Sequence, residues 1–441
     1  MPPRSPAPPL PRSPLIRLSL NSLWLLMARI LSQGLLLIFT IAVARTLGAA
    51  DLGRFAFISA VVFIGNVVTT FGLDTLLLRE VAARRGNLAE RATAALQETV
   101  TAALLLQLAL AAIFISVVWI AGPRLPNQTA ETAPALRLAA LSLIPLAFST
   151  VHSAILRAHE RMDLYLIFSL VAALIIGAGG IVLWRRGGSL LGAVGVVVLS
   201  QSAGALVAAV LCCPYQPRLI AQPARLRRAL RRVASAGATL ATLMILSVLY
   251  QRSGLLLLSL LTDDAATGWY SAAARVLEAL KLIPGAFFGA VFPMLAANAA
   301  VAQPVNLRRA YARGFTALVA LSILLAALTT ILAGPLVVTL YGPGYAPAAD
   351  ALRLMAWSLP LTVFTFKYSF ELVVGGLERV AMLSMLLTLL LSAGLTVTLI
   401  GRWSLTGAAA ALVASELVQV CILALLSARI VQPVRLQEGR K

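Results

Sequence analysis

The sequence predicts an all-α integral membrane protein of about 12 transmembrane helices in two groups of six. Three observations carry this. Of 441 residues, 60% are hydrophobic and only 12% charged, whereas a soluble domain carries about 25% charged residues. Mean hydropathy is correspondingly high at +0.93. The apolar residues form runs long enough to cross a bilayer, and the gaps between the runs are alternately rich and poor in arginine.

A helix crossing a hydrocarbon layer about 30 Å thick needs roughly 20 apolar residues. The spans fall at 18–44, 55–78, 93–121, 134–156, 164–184 and 188–213 in the first half. The second half holds 234–261, 268–295, 313–340, 349–374, 379–401 and 405–428. The turn "WRRGGS" at 184–189 separates the fifth and sixth spans with little to spare.

Orientation follows from the basic residues. With the N-terminus inside, and Arg379 counted with the inner segment it adjoins, inner segments hold 23 Lys and Arg and outer loops 6. That asymmetry obeys the positive-inside rule, and it accounts for a net charge of +20 without nucleic acid as a partner. The domain plan is a disordered basic cytoplasmic tail (1–17), an N-terminal six-helix lobe (18–213), a basic cytoplasmic linker (214–233), a C-terminal six-helix lobe (234–428) and a cytoplasmic tail (429–441). The Pro-rich start is followed by a helix too long for a signal-peptide core, so the first helix is expected to be retained. The linker "PYQPRLIAQPARLRRALRRV" is amphipathic and suits an anionic leaflet. Cys212, Cys213 and Cys421 sit at apolar positions without metal or disulfide spacing. His152 and His159, near an inner helix end, are expected at the surface.

The two halves echo each other. "LGAADLGRFAF" follows the first span and "LTDDAATGWYSA" the seventh. Each sets a small acidic turn before Gly53 or Gly268 and then an aromatic residue. Paired six-helix repeats are a common transporter plan.

Charges inside the spans are informative because each costs roughly 2.5–3.5 kcal/mol at mid-membrane. Arg29 stands eleven residues into the first span, about 16 Å up at 1.5 Å per residue, with Ser32 and Gln33 beside it. Asn66, Thr70 and Asp74 recur every four residues in the second span. Ser271, Arg275 and Glu278 share a face of the eighth, with Lys281 one turn beyond; Arg252 of the seventh lies in the outer third with Arg275, and Lys281 near the middle with Arg29. Lys367 and Glu371 are spaced for an i,i+4 pair. Guanidinium groups pair bidentately with phosphate oxygens, so this ladder of cations suits a phosphate-bearing substrate. The substrate-binding candidates are therefore Arg29, Ser32, Gln33, Asn66, Arg252, Arg275, Glu278 and Lys281. Asp74, Glu98, Lys367, Glu371 and Glu416 are candidates for ion coupling or ion pairing. The sequence offers no Gly-rich phosphate loop, zinc spacing or nucleophile elbow. An enzyme, a cofactor, a metal site and a single-chain ATP-driven pump are accordingly not expected.

Three motifs then bear a resemblance. "ARTLGAADLGRFAFISAVVFIGNVVTTFGLDTLLLREVAARR" (44–85) resembles the amino-terminal signature of the polysaccharide-transport flippases. These belong to the multidrug/oligosaccharidyl-lipid/polysaccharide (MOP) exporter superfamily. "TGWYSAAARVLEALKLIPGAFFGAVFPML" (267–295) is similar to the second-half motif of that family, and "LYGPGYAPAADALRLMAW" (340–357) to its periplasmic element.

The resemblance implies two six-helix lobes around a central, partly cationic cavity lined by helices one, two, seven and eight. It implies alternating access in the bacterial inner membrane and a substrate of undecaprenyl-diphosphate-linked oligosaccharide. Polysaccharide polymerase and glycosyltransferases would be partners. Carried over to this chain, Arg29, Arg252, Arg275 and Lys281 are cavity residues. Many relatives place an Asp in the middle of the seventh helix, where this chain has Arg252 and Ser253. Three other functions compete. A multidrug/cation antiporter of the superfamily would need an acid-dominated cavity, and a peptidoglycan lipid-precursor flippase usually has two further helices. A membrane polymerase or ligase would need a larger outer loop than 122–133.

Overall fold

The computed structural model describes residues 14–84, 90–124, 131–215, 223–298, 305–374 and 378–428. Most of the expected N-terminal tail (1–17), the middle of the linker and all of the C-terminal tail (429–441) lie outside them. The described residues form α-helices joined by short turns, with no strand. In order the helices are α1 (Pro14–Thr70), α2 (Leu73–Arg84), α3 (Glu90–Ala121), α4 (Thr132–Leu141), α5 (Leu143–Ala158), α6 (Met162–Arg186) and α7 (Leu190–Cys212). There follow α8 (Pro223–Leu261), α9 (Asp264–Asn298), α10 (Val305–Tyr341), α11 (Ala348–Met355), α12 (Ser358–Val374) and α13 (Glu378–Leu426).

Length alone shows that two of these helices cannot be single crossings. A straight helix of 57 residues, the length of α1, would reach about 85 Å at 1.5 Å per residue. Instead α1 bends at Gly48, with φ 84° and ψ −177°, and the 49-residue α13 bends at Ser404, with φ 45° and ψ −118°. Each is two spans. The pairs α4–α5 and α11–α12 are single stretches broken near the middle, and α2 continues the second half of α1, so the thirteen helices give twelve membrane-length segments; among the described residues eight helical stretches are long and apolar enough to cross a membrane by length and composition. The short turn after Arg186 is closed by Ser189, whose hydroxyl accepts the Gly192 amide at 3.2 Å as an N-cap.

The Gly48 backbone lies where essentially only glycine is comfortable, and an added Cβ there would meet no atom within 4 Å. Any cost of substitution is thus conformational. Gly48→Ala should lower stability by about 1–3 kcal/mol, read as a fall in the thermal midpoint of purified protein. An unchanged midpoint would mean that the bend relaxes freely.

The chain divides into two compact units. The first comprises Met1–Thr46 and Val61–Ile245, the second Leu47–Ala60 and Leu246–Lys441. In the first unit, Leu73, Leu77, Val100, Val151, Ile155 and Leu156 build the core. The start of α8 joins that core through Ala229 and Val233, with Leu226 and Leu230 packed alongside. Arg225, Arg227, Arg228, Arg231 and Arg232 stay exposed on its other side. The apolar face of this basic segment therefore meets protein.

His152 is also inside. It is only 3% exposed, its Nδ1 lies 2.6 Å from the Phe148 carbonyl, and its ring stacks on Phe148. The expected surface position is corrected: the helical hydrogen bond and the ring contact satisfy the imidazole within the core. His159 is partly buried against Tyr215.

In the second unit, Phe288, Leu318 and Val363 form a core with Phe287, Phe315 and Val319. Here the sequence echo acquires a physical cause. A Cβ on Gly53 would lie 1.9 Å from the Asp264 carbonyl oxygen, and one on Gly268 would lie 1.9 Å from that of Ala49. The two matched turns thus pack backbone on backbone, each glycine receiving the other turn. Arg54 ties them together, with Nε 2.7 Å from Asp264 and Nη1 2.8 Å from Asp51. The third motif joins the second, because the Trp269 indole donates to the Gly344 carbonyl at 3.0 Å.

Candidate functional site

The strongest concentration of charge inside the spans lies in the second unit, on α8, α9 and α13. Arg275 and Glu278 are one turn apart on α9, which brings the guanidinium to the carboxylate by helical spacing alone. Arg275 Nη1 donates to Glu278 Oε2 at 3.0 Å. Arg252 reaches across from α8 and donates to the other carboxylate oxygen, Oε1, at 3.1 Å. One carboxylate therefore bridges two arginines from adjacent helices. The Tyr270 phenol lies within electrostatic reach of Arg252 and Glu278, and that of Tyr341 within reach of Arg275 and Glu278.

One turn further along α9, Lys281 leaves this triad. The sequence pattern paired it loosely with Glu278, but its Nζ donates to Glu416 Oε1 on α13 at 2.6 Å. The second oxygen, Oε2, accepts the Thr362 hydroxyl at 3.1 Å. Ser358 and Ser415 place buried hydroxyls on the same two helices, with no hydrogen-bond partner among the described residues. Three cations and two carboxylates thus form a strip carrying one net positive charge.

The other expected pair does not form. Lys367 Nζ lies 5.0 Å above both the Phe315 and Tyr368 rings, an attraction to the ring quadrupoles. Glu371 instead accepts the Ser427 hydroxyl at 2.6 Å. The i,i+4 spacing offered a partner, and the aromatic faces and a neighbouring hydroxyl supplied closer ones.

In the first unit the candidates are dispersed. Arg29 and Gln33 are exposed and Ser32 is partly so. Arg29 makes no ion pair among the described residues. The four-residue repeat of Asn66, Thr70 and Asp74 is interrupted, because Phe71 and Gly72 take left-handed φ values of 51° and 67°. Asp74 therefore starts α2 on a new axis, 3.8 Å from Arg157. The side-chain oxygen of Asn66 is buried without a hydrogen bond. Glu98 lies 3.8 Å from Arg225, and the adjacent Thr99 accepts Arg232 at 2.7 Å.

Sequence reasoning missed Thr362, Ser358 and the site tyrosines Tyr270 and Tyr341. A usable signal existed: Ser358 and Thr362 are i,i+4 in an apolar helix, and tyrosine in mid-span needs a polar neighbour. Among the described residues no group of His, Cys, Asp and Glu could hold a metal ion.

Comparison with known proteins fits this architecture. The profile of the family described as "Polysaccharide biosynthesis protein" matches residues 18–299. A search of curated proteins finds no match. Among solved structures, the chain is similar to an inward-facing multidrug resistance MATE family transporter of the MOP superfamily, at TM-score 0.77 and 16% identity, covering 91% of this chain and 95% of that one. It is similar to the lipid II flippase MurJ in an inward closed conformation, at TM-score 0.71 and 12% identity, covering 90% and 86%. A MOP superfamily transporter from Pyrococcus furiosus, noted for the reverse polarity of its binding pocket, matches at TM-score 0.63 and 16% identity, covering 96% of each chain. At these identities the likeness is one of fold. The family match covers well over half of the sequence and places this multi-pass helical membrane protein in the polysaccharide biosynthesis protein family.

Proposed function

We propose that the protein is a flippase that moves undecaprenyl-diphosphate-linked oligosaccharide from the cytoplasmic to the periplasmic leaflet of the bacterial inner membrane, by alternating access and with both termini in the cytoplasm. The observation that carries this reading is the pair of guanidinium groups, Arg252 and Arg275, held within 3.1 Å of one carboxylate inside a membrane-spanning fold. Two planar forks at one point match the oxygens of a diphosphate. In the second unit Lys281 adds a third cation to this pair, and in the first unit Arg29 offers a further cation while Ser32, Gln33 and Asn66 accept sugar hydroxyls. Asp74, Glu98 and Glu416 serve as internal ion partners of Arg157, Arg225 and Lys281, Lys367 and Glu371 are held by aromatic rings and a serine hydroxyl instead, and Glu416 is the acid best placed to link transport to an ion gradient.

A multidrug antiporter selecting cationic drugs is disfavoured by the net positive strip on α8 and α9. The protein performs no covalent chemistry in this reading, and it hands its cargo to polymerase and glycosyltransferase partners. Arg252→Ala and Arg29→Ala should each abolish surface-polysaccharide export while folded protein persists in the membrane fraction. Normal export in both variants, or resistance to cationic drugs conferred by the wild type, would overturn the reading.

A further inference from the structure

The triad on α8 and α9 has an arrangement that a simple receptor for anions would not need. An acid occupies the place where the anion would sit. Glu278 takes one hydrogen bond from each arginine, at 3.1 and 3.0 Å, and so occupies one prong of each fork that would grip phosphate oxygens. Its side chain is 40% exposed, while those of Arg252 and Arg275 are 23% and 22% exposed. Glu278 is thus the most exposed of the three side chains, and it engages both cations at once. Beside it, the Tyr341 hydroxyl is buried and has no hydrogen-bond partner among the described residues, although it lies within electrostatic reach of Arg275 and Glu278. The resting triad leaves this donor unused.

We propose that Glu278 is a tethered stand-in for the phosphate of the substrate: it closes the Arg252–Arg275 anion site when the site is empty and turns outward when a phosphate enters. This deepens the flippase reading and rests on it for the identity of the cargo. The physical logic has two parts. Two guanidinium groups left bare in a low-dielectric span would carry a large desolvation cost, which the carboxylate offsets during the empty stage of the cycle. Competition by the same carboxylate weakens binding, because apparent affinity falls in proportion to the fraction of molecules whose site is open. A carrier gains from this on the release side, where an uncovered arginine pair would hold a diphosphate too long. Its 40% exposure gives the Glu278 side chain room to turn. Lys281 stays out of the exchange, because Glu416 holds it at 2.6 Å.

The test uses the full chain in nanodiscs of phosphatidylcholine, titrated calorimetrically with inorganic pyrophosphate at constant ionic strength. Glu278→Gln should bind pyrophosphate about tenfold tighter than the wild type, corresponding to an open fraction of about one tenth in the wild type. Asp350→Asn removes a negative charge from the same unit at an exposed site whose ion pair among the described residues is with the surface residue Arg353. It should leave the affinity unchanged. Equal or weaker binding by Glu278→Gln would overturn the proposal. So would an equal gain in Asp350→Asn, which would mean a general field effect, and so would the absence of pyrophosphate binding in every variant. If Glu278→Gln does not accumulate as folded protein, Glu278→Asp takes its place. Its carboxylate is one methylene too short to span both arginines, so binding should tighten several-fold, and no change would overturn the proposal. Failure of the flippase reading looks different: pyrophosphate binding would behave as stated while Arg252→Ala exported polysaccharide normally, and the stand-in would then serve another phosphorylated ligand.

Discussion

Gly268→Ala is expected to lose about 3 kcal/mol of stability, near the upper end of what overpacking usually costs. The added methyl would meet the Ala49 carbonyl oxygen at 1.9 Å. That obstacle is backbone, so no side chain can turn aside. Relief requires the two turns to separate, which would stretch the Arg54 bridge to Asp264 at 2.7 Å. Small residues that let backbones touch are a main source of helix association in membranes. Gly53→Ala should cost a similar amount, because its Cβ would meet the Asp264 oxygen at the same 1.9 Å. The double variant should cost less than the sum, since one separation makes room for both methyls. Thermal unfolding of the purified variants measures all three quantities. A midpoint within about 1 °C of the wild type, well below the shift that 1 kcal/mol normally produces, would show that the contact is dispensable.

Glu416→Gln is the second large expected effect. Glu416 is 9% exposed as a residue and holds both Lys281 and Thr362. Removing its charge strands an ammonium in a membrane span. Loss of one partner of a buried pair costs about 3–5 kcal/mol. The Lys281 side chain is 26% exposed, so solvent screening brings the expected loss nearer 2–3 kcal/mol. Lys281→Met should be destabilising for the mirrored reason. The combined Lys281→Met/Glu416→Met chain should recover most of the stability, because a well-packed apolar pair often replaces a buried ion pair without loss. A coupling energy below about 0.5 kcal/mol in this cycle would mean that the two groups act independently.

The fold was largely legible because bilayer thickness sets span length and the basic residues alternate with the spans. Even the helix ends near "WRRGGS" came out as expected. The bends at Gly48 and Ser404 needed no anticipation, since a bilayer cannot contain the unbroken lengths of α1 and α13. The site was harder to read for a reason visible at Lys281. Spacing along α9 tells which charges share a face, but Lys281 finds its partner 135 residues away on α13, and one sequence carries no record of that proximity. Lys367 makes the same point in reverse: a suitably spaced acid was present, and aromatic faces prevailed. The four-residue polar repeat from Asn66 to Asp74 failed because periodicity assumes a continuous axis, and Phe71–Gly72 breaks it. The echo around Gly53 and Gly268 was visible as pattern, while its cause, mutual backbone contact, required coordinates.

That contact also bears on the time course of synthesis. Residues 47–60 pack with the second unit, and Arg54 finds Asp264 only 210 positions later. A ribosome adding about 5–20 residues per second needs roughly 10–40 s to cover that distance. For that interval a finished early segment waits in the membrane for a partner that has not yet been made. The second unit is therefore assembled from one early and one late stretch of chain, with the whole of residues 61–245 made in between.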